Sequence, residues 1–339
     1  MDSLTRAREV AAQYTESDGV YTIEPVGAST INKTYIAKPS AEESTWFVLQ
    51  RMHSIFTPPL MADIENVTKF ITERGMIAPR VLHTHDGSSY VAYANEWWRA
   101  LSYVEGTTIE SVDSNTNLES VGKLVGDFHT NLLEYNTPFS FRLENFHNTQ
   151  HYLKRLQDVV RESRYKNEFE HDVLFITQEL EPLLKVFDTL PKRVIHADLK
   201  ISNIRFDTSG LARSLIDLDT LMMHHVAIDL GDGLRSWCAR GDEDTEGLIF
   251  DKERYERAYR GYIENAPFLT DEEKASIPQG LLLITLELSA RFITDACEQS
   301  YFRLQESKYT SLYEQNKQKA QGQLSLYRSM CEQGMKEYH

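Results

Sequence analysis

The chain has 339 residues, a length that suggests two domains or one large bilobal one. Hydrophobic residues make up 41% and charged residues 26%, ordinary values for a folded chain with a sizeable core. The formal net charge of −15 argues against nucleic acid, which needs a basic face, and against an anionic membrane surface.

The N-terminal stretch lacks the apolar core of a secretory leader, and the longest apolar run, 281–286, is far too short to span a bilayer. Cys238, Cys297 and Cys331 show neither disulfide nor metal-ligand spacing. The expected location is the cytoplasm.

In chain order, residues 2–15 are expected to form a short helix with Leu4, Val10, Ala11 and Tyr14 on one side. Strands follow at 20–26 and 34–37, around the polar loop 27–33, and a third at 46–51. On that third strand Gln50 shares a face with Val48, while Arg51 points the other way unless a bulge turns it. Residues 58–74 carry a helical stripe of Met61, Ile64, Val67 and Ile71, with Glu65 placed to pair with a strand cation. Strands near 80–82, 90–93 and 97–104 lead into a turn at Glu105-Gly106.

From there the pattern is mainly helical. Leu118, Val121, Leu124, Val125, Phe128 and Leu132 recur at helical spacing, and His129 beside them reads as a core histidine. Helices are expected at 149–160 and 167–190, and three long ones at 251–265, 271–304 and 309–336.

The densest chemistry lies at 194–220. The apolar pair Val194-Ile195 leads into His196-Ala197-Asp198, with Lys200 and Asn203 just beyond. A turn at 207–210 separates this from a second apolar pair, Leu215-Ile216, which ends in Asp217-Leu218-Asp219. Phosphoryl transfer needs this set: a carboxylate to orient an attacking hydroxyl, and an amide with a second carboxylate to hold a magnesium ion. The spacing H-x-D-x-x-x-x-N is that of a kinase catalytic loop, and IDLD stands about twenty residues later, where a metal-binding Asp belongs.

With these motifs the chain resembles the aminoglycoside phosphotransferase and choline kinase family, small-molecule kinases of protein-kinase-like fold. The resemblance implies an α+β, bilobal architecture: a nucleotide-binding lobe over 1–103, with a small antiparallel sheet and one main helix, and a larger, mainly helical catalytic and substrate-binding lobe over 104–339. It implies ATP and Mg2+ as cofactors, Asp198 as the base, and Asn203, Asp217 and Asp219 as metal ligands. Lys200 would stabilise the transferring phosphoryl group. His196 and Asp229 would brace the loop. Ser29, Thr30 and Asn32 would cover the phosphates, and the linker around Ser102 and Val104 would meet adenine. The family carries a phosphate-pairing lysine on the third strand, which this sequence lacks. Either Gln50 contacts phosphate as a neutral donor or Arg51 swings in.

Further blocks resemble the N-acetylhexosamine 1-kinases: residues 31–35, 47–50 with Ile55-Phe56, 146–149, 216–220, 229–232 with Arg235, Arg291-Phe292 with Asp295, and Tyr301-Phe302. They imply transfer to the anomeric hydroxyl of an amino sugar, with Arg235, Trp237, Arg291 and Tyr301 lining its pocket. Two alternatives remain: a kinase of the same fold acting on an aminoglycoside, choline or another amino alcohol, or a nucleotide-binding protein without turnover.

Overall fold

The computed structural model describes residues 3–15, 21–26, 31–39, 46–241 and 247–337. A short helix, α1 (Ser3–Ala11), precedes three strands, β1 (Tyr21–Pro25), β2 (Lys33–Pro39) and β3 (Phe47–Arg51). Helix α2 (Leu60–Thr72) follows, then β4 (Val81–Leu82), β5 (Val91–Tyr93) and β6 (Glu96–Ser102). These strands form one antiparallel sheet in the order β1-β2-β3-β6-β4, with β5 also paired to β6.

Alternation along β3 and β6 divides the sheet into two faces. Phe47, Leu49, Trp98 and Ala100 point outward and are covered by Ala7, Val10 and Ala11 of α1. Val48 and Leu101 point inward to the main core, which also takes Met61, Ile64, Val67 and Ile71 of α2. The pairing is regular, with Gln50 opposite both Thr34 and Arg99.

The rest is mainly helical: α3 (Leu118–Asn131), α4 (Thr149–Glu162) and α5 (Lys166–Val186), then α6 (Val226–Trp237), α7 (Lys252–Asn265), α8 (Asp271–Glu298) and α9 (Leu312–Glu332). Between α5 and α6 run the short strands β7 (Arg193–Ile195), β8 (Ile204–Phe206), β9 (Ala212–Leu215) and β10 (Met222–His224). A last pair, β11 (Ala239–Arg240) and β12 (Ile249–Phe250), precedes α7.

Several boundaries differ from the sequence expectation. Helix α8 stops at Gln299, whose φ of 53° ends it, because the Asp295 carboxylate takes the amides of Ser300, Tyr301 and Phe302. The apolar and acidic stretch after residue 225 is a helix, α6, packed mainly on α8. Glu65 lies 3.4 Å from His83 rather than beside a cation of β3.

Candidate active site

The site grows from two strand ends. Strand β7, paired with β10, delivers His196-Ala197-Asp198. The hairpin β8-β9 returns the chain so that the Ile216 amide donates to the Asn203 carbonyl, which sets Asp217 beside the loop. Ala197 and Asp217 both have left-handed backbones, φ 66° and 63°, which cost L-residues about 1–3 kcal/mol each and persist only where the surroundings impose them.

Those surroundings are explicit at Ala197. The fully buried Asp229 of α6 accepts from the amides of Ala197, at 2.6 Å, and His196, at 2.9 Å. Its Oδ2 also lies 2.9 Å from Nε2 of His129, a buried core histidine as its position suggested. Burial would raise the Asp229 pKa, but His129, His196 and the amides hold it below the usual range. On the other side, Nε2 of His147 lies 2.9 Å from the Ala197 carbonyl, and its Nδ1 lies 3.1 Å from the buried Glu287. His196 braces the loop too, meeting the Ile216 carbonyl through Nε2 and taking the Asp198 amide on Nδ1.

Asp198, braced in this way, is partly open, with 28% of its side chain exposed. Its Oδ2 takes Lys200 Nζ at 2.9 Å and Asn203 Nδ2 at 3.0 Å. Burial pushes its pKa up, but Lys200 wins and keeps it ionised. Lys200 is also desolvated, yet Asp198 and Asp217 raise its pKa above normal.

Asp217 is pushed up to about 6, first by burial and then by Asp219. Lys200 and Arg99 offset only part of this crowding, which fits a bound cation. Among the described residues both side-chain hydrogen bonds of Asn203 leave from Nδ2, and neither engages its Oδ1. Asp219, expected as a further metal ligand, is 3% exposed and turned to the sheet: Asn32 Nδ2 donates to its Oδ2 at 2.8 Å, and Arg99 Nη1 lies 2.5 Å from Oδ1. Among the described residues no three His, Cys, Asp or Glu side chains gather as a metal cage.

The other expected positions separate clearly. Ser29 and Thr30 lie outside the described residues. Asn32 is buried and also accepts from the His53 amide. Gln50 faces inward, giving Nε2 to Thr34 and taking Nε of Arg99 at 2.8 Å. Arg51 does not enter the site: with no bulge in β3 it points to the outer face and pairs with Glu96 at 2.6 Å. Ser102 is tied to Arg80, its amide donating to the Arg80 carbonyl and its hydroxyl taking the Arg80 amide. Val104 is buried where the sheet passes into the linker. There Gly106, at φ 118°, lies so close to β8 that a Cβ would sit 2.3 Å from the Phe206 carbonyl oxygen.

Of the four residues expected around an acceptor, Trp237 does not face one. It is wholly buried, its indole N–H donates to the Leu199 carbonyl, and it supports the loop from behind. Arg235 pairs with Asp232 at 3.0 Å. Arg291 lies within 5.0–6.0 Å of the ring centres of Phe146, Tyr152, Tyr301 and Phe302. Tyr301 is 56% exposed and its hydroxyl takes Arg291 Nη2 at 3.3 Å. A cavity of about 960 Å³ reaches from Asp219 and Thr220 past residues 146–149 to His224, and none of these four lines it.

Sequence reasoning missed Arg99, His147 and Glu287. A signal existed for Arg99, a lone cation in the apolar run 97–101, and His147 lay in the block 146–149 without a role assigned to it; nothing local marked Glu287.

Against known proteins, residues 22–264 match the model of the phosphotransferase enzyme family (APH). The chain belongs to that family. Among solved structures it is similar to an amicoumacin kinase in complex with AMP-PNP, Ca2+ and Ami, at TM-score 0.62 and 14% identity over 95% of this chain and 93% of that one. A choline kinase from Cryptosporidium parvum Iowa II aligns at TM-score 0.63 and 11% identity, covering 98% of both chains. A choline/ethanolamine kinase family protein from Mesorhizobium loti aligns at 0.62 and 16%, covering 97% of both. The fold of this family member is α+β and bilobal, of protein-kinase-like type, as expected.

Proposed function

We propose that this phosphotransferase is a small-molecule kinase that moves the γ-phosphoryl group of ATP to the anomeric hydroxyl of an N-acetylhexosamine. The observation that carries the phosphoryl-transfer reading is Asp198 held ionised beside Lys200 and Asn203, with Asp217 crowded next to them. The division of labour at residues 103/104, nucleotide lobe before and acceptor lobe after, belongs to the same reading.

Asp198 accepts a hydrogen bond from the acceptor hydroxyl and takes its proton as the oxygen bonds to phosphorus and the bond to the leaving ADP oxygen breaks. Lys200, already at its side, offsets charge on the transferring group. Asn203 Oδ1 and Asp217 would hold the magnesium, which supplies neutralisation of phosphate charge. Asp229 and His147 fix the loop from both sides, so the base is set before substrate arrives.

Support for a neutral acceptor comes from the charges around the loop. Asp198 is paired with Lys200, Asp232 with Arg235 and Glu287 with His147, so no carboxylate among these is left for a cationic alcohol. Arg291 and its aromatic neighbours offer donors and a ring wall, the chemistry a sugar uses. The overall charge of −15 favours the second reading, an amino alcohol or aminoglycoside acceptor. Measuring ADP release with Mg2+ and N-acetylglucosamine, N-acetylgalactosamine, choline and kanamycin decides. Turnover with a cation alone overturns the sugar assignment, and MgADP binding without turnover on any acceptor favours a protein that binds nucleotide only.

A further inference from the structure

We propose that Arg99 is the phosphate-side cation that β3 lacks: from β6 it holds Asp219 with Nη1 and binds nucleotide phosphate oxygens with Nη2. The proposal rests on the phosphoryl-transfer reading above and goes beyond it.

A polyanion entering a cleft with Asp198, Asp217 and Asp219 needs positive charge, and the cations nearby are mostly engaged. Lys200 is 2.9 Å from Asp198, Arg235 is 3.0 Å from Asp232, and Arg51 is on the outer face with Glu96. Arg205 donates to the Tyr103 hydroxyl and the Gly106 carbonyl. Arg99 differs from all of them. It is wholly buried on the inner face of the sheet, directly across the ladder from Gln50. Cross-strand neighbours lie about 5 Å apart, so its guanidinium occupies the region a long side chain at position 50 would reach.

Its contacts are incomplete in an informative way. Nε is satisfied by Gln50 Oε1, but Nη1, Nη2 and Asp219 Oδ1 have no hydrogen-bond partner among the described residues. The Nη1–Oδ1 approach of 2.5 Å is an ion pair without hydrogen-bond geometry. Native interiors rarely leave three such atoms together, and a guanidinium serving only the sheet would be saturated as Nε is. Asn32, where β2 begins, donates to the other oxygen of Asp219, so the strand carrying the expected phosphate loop meets the same carboxylate. Arginine suits the task because its planar fork matches phosphate oxygens.

Calorimetry of the full chain with MgADP and with adenosine tests this. Arg99→Met is expected to weaken MgADP by about tenfold or more, the worth of one charge-assisted bond, and adenosine by less than about twofold. Gln50→Lys added to Arg99→Met moves the cation across the ladder and is expected to restore most MgADP affinity. If Arg99→Met binds MgADP like the parent, or loses adenosine equally, the proposal is overturned while the kinase reading stands. If the parent itself fails to bind MgADP, the kinase reading falls first. Should Arg99→Met not fold, the double variant decides: retained MgADP binding supports the proposal, and loss by a folded double variant overturns it.

Discussion

His147 and Glu287 form a buried pair whose energetics can be worked from their partners. Nδ1 of His147 faces the Glu287 carboxylate and Nε2 faces the Ala197 carbonyl, both acceptors, so the ring carries a proton on each nitrogen. Burial opposes that charge, but Glu287, with Asp232 behind it, raises the His147 pKa above its usual 6.5. Glu287 is desolvated as well, yet His147, Arg291 and the Thr149 hydroxyl hold its pKa down. His147→Leu removes the charged partner and leaves Glu287, itself 1% exposed, with Thr149 and Arg291 only. Breaking a buried pair this way costs about 3–5 kcal/mol, within a total stability on the order of 5–15 kcal/mol. Glu287→Gln alone keeps an acceptor for Thr149 and a donor for a neutral imidazole, so about 1 kcal/mol is expected. The double variant buries no bare carboxylate and should be roughly 1–2 kcal/mol more stable than His147→Leu. Urea unfolding at pH 6 measures all four proteins. A double variant less stable than His147→Leu by the full cost of Glu287→Gln would show that the pair is not coupled. The pH sign follows from the two shifts: the histidine's contribution is complete below 6.5 and fades as pH rises through its raised folded pKa, and the glutamate's is present above 4.5 and lost as pH falls through its depressed one. The difference between parent and Glu287→Gln should therefore shrink at both ends.

Asp198→Asn should lower kcat by roughly 10²–10⁴-fold with MgADP affinity within about twofold, read by steady-state kinetics and calorimetry; near-normal turnover would remove the base assignment. Gly261→Ala should cost about 1–3 kcal/mol in urea unfolding, because its Cβ would lie 2.1 Å from the Glu119 carbonyl oxygen where α7 crosses α3. Saturating MgADP, at about 100 times Kd, should stabilise the protein by roughly 2.7 kcal/mol in a thermal melt, and EDTA should cancel most of that gain.

What the sequence determined alone is chemistry carried by neighbours in the chain. His196, Asp198, Lys200 and Asn203 lie within one loop, and a turn returns Asp217 to it, so spacing alone placed them together. The helical stripes of α2 and α3 were legible for a similar reason, since periodicity is local. What only tertiary structure decided is partnership across distance. Arg99 meets Gln50 because strand register sets the two opposite each other, and Arg51 is excluded because the same regular pleat turns it outward to Glu96. Trp237 proved to be core because α6, which periodicity did not reveal, packs on α8. His147 and Glu287 stand 140 residues apart and meet only when α8 docks beside the loop after β7. Burial then gives such pairs their strength, because a charge removed from water must find its counter-charge in whatever the fold brings against it.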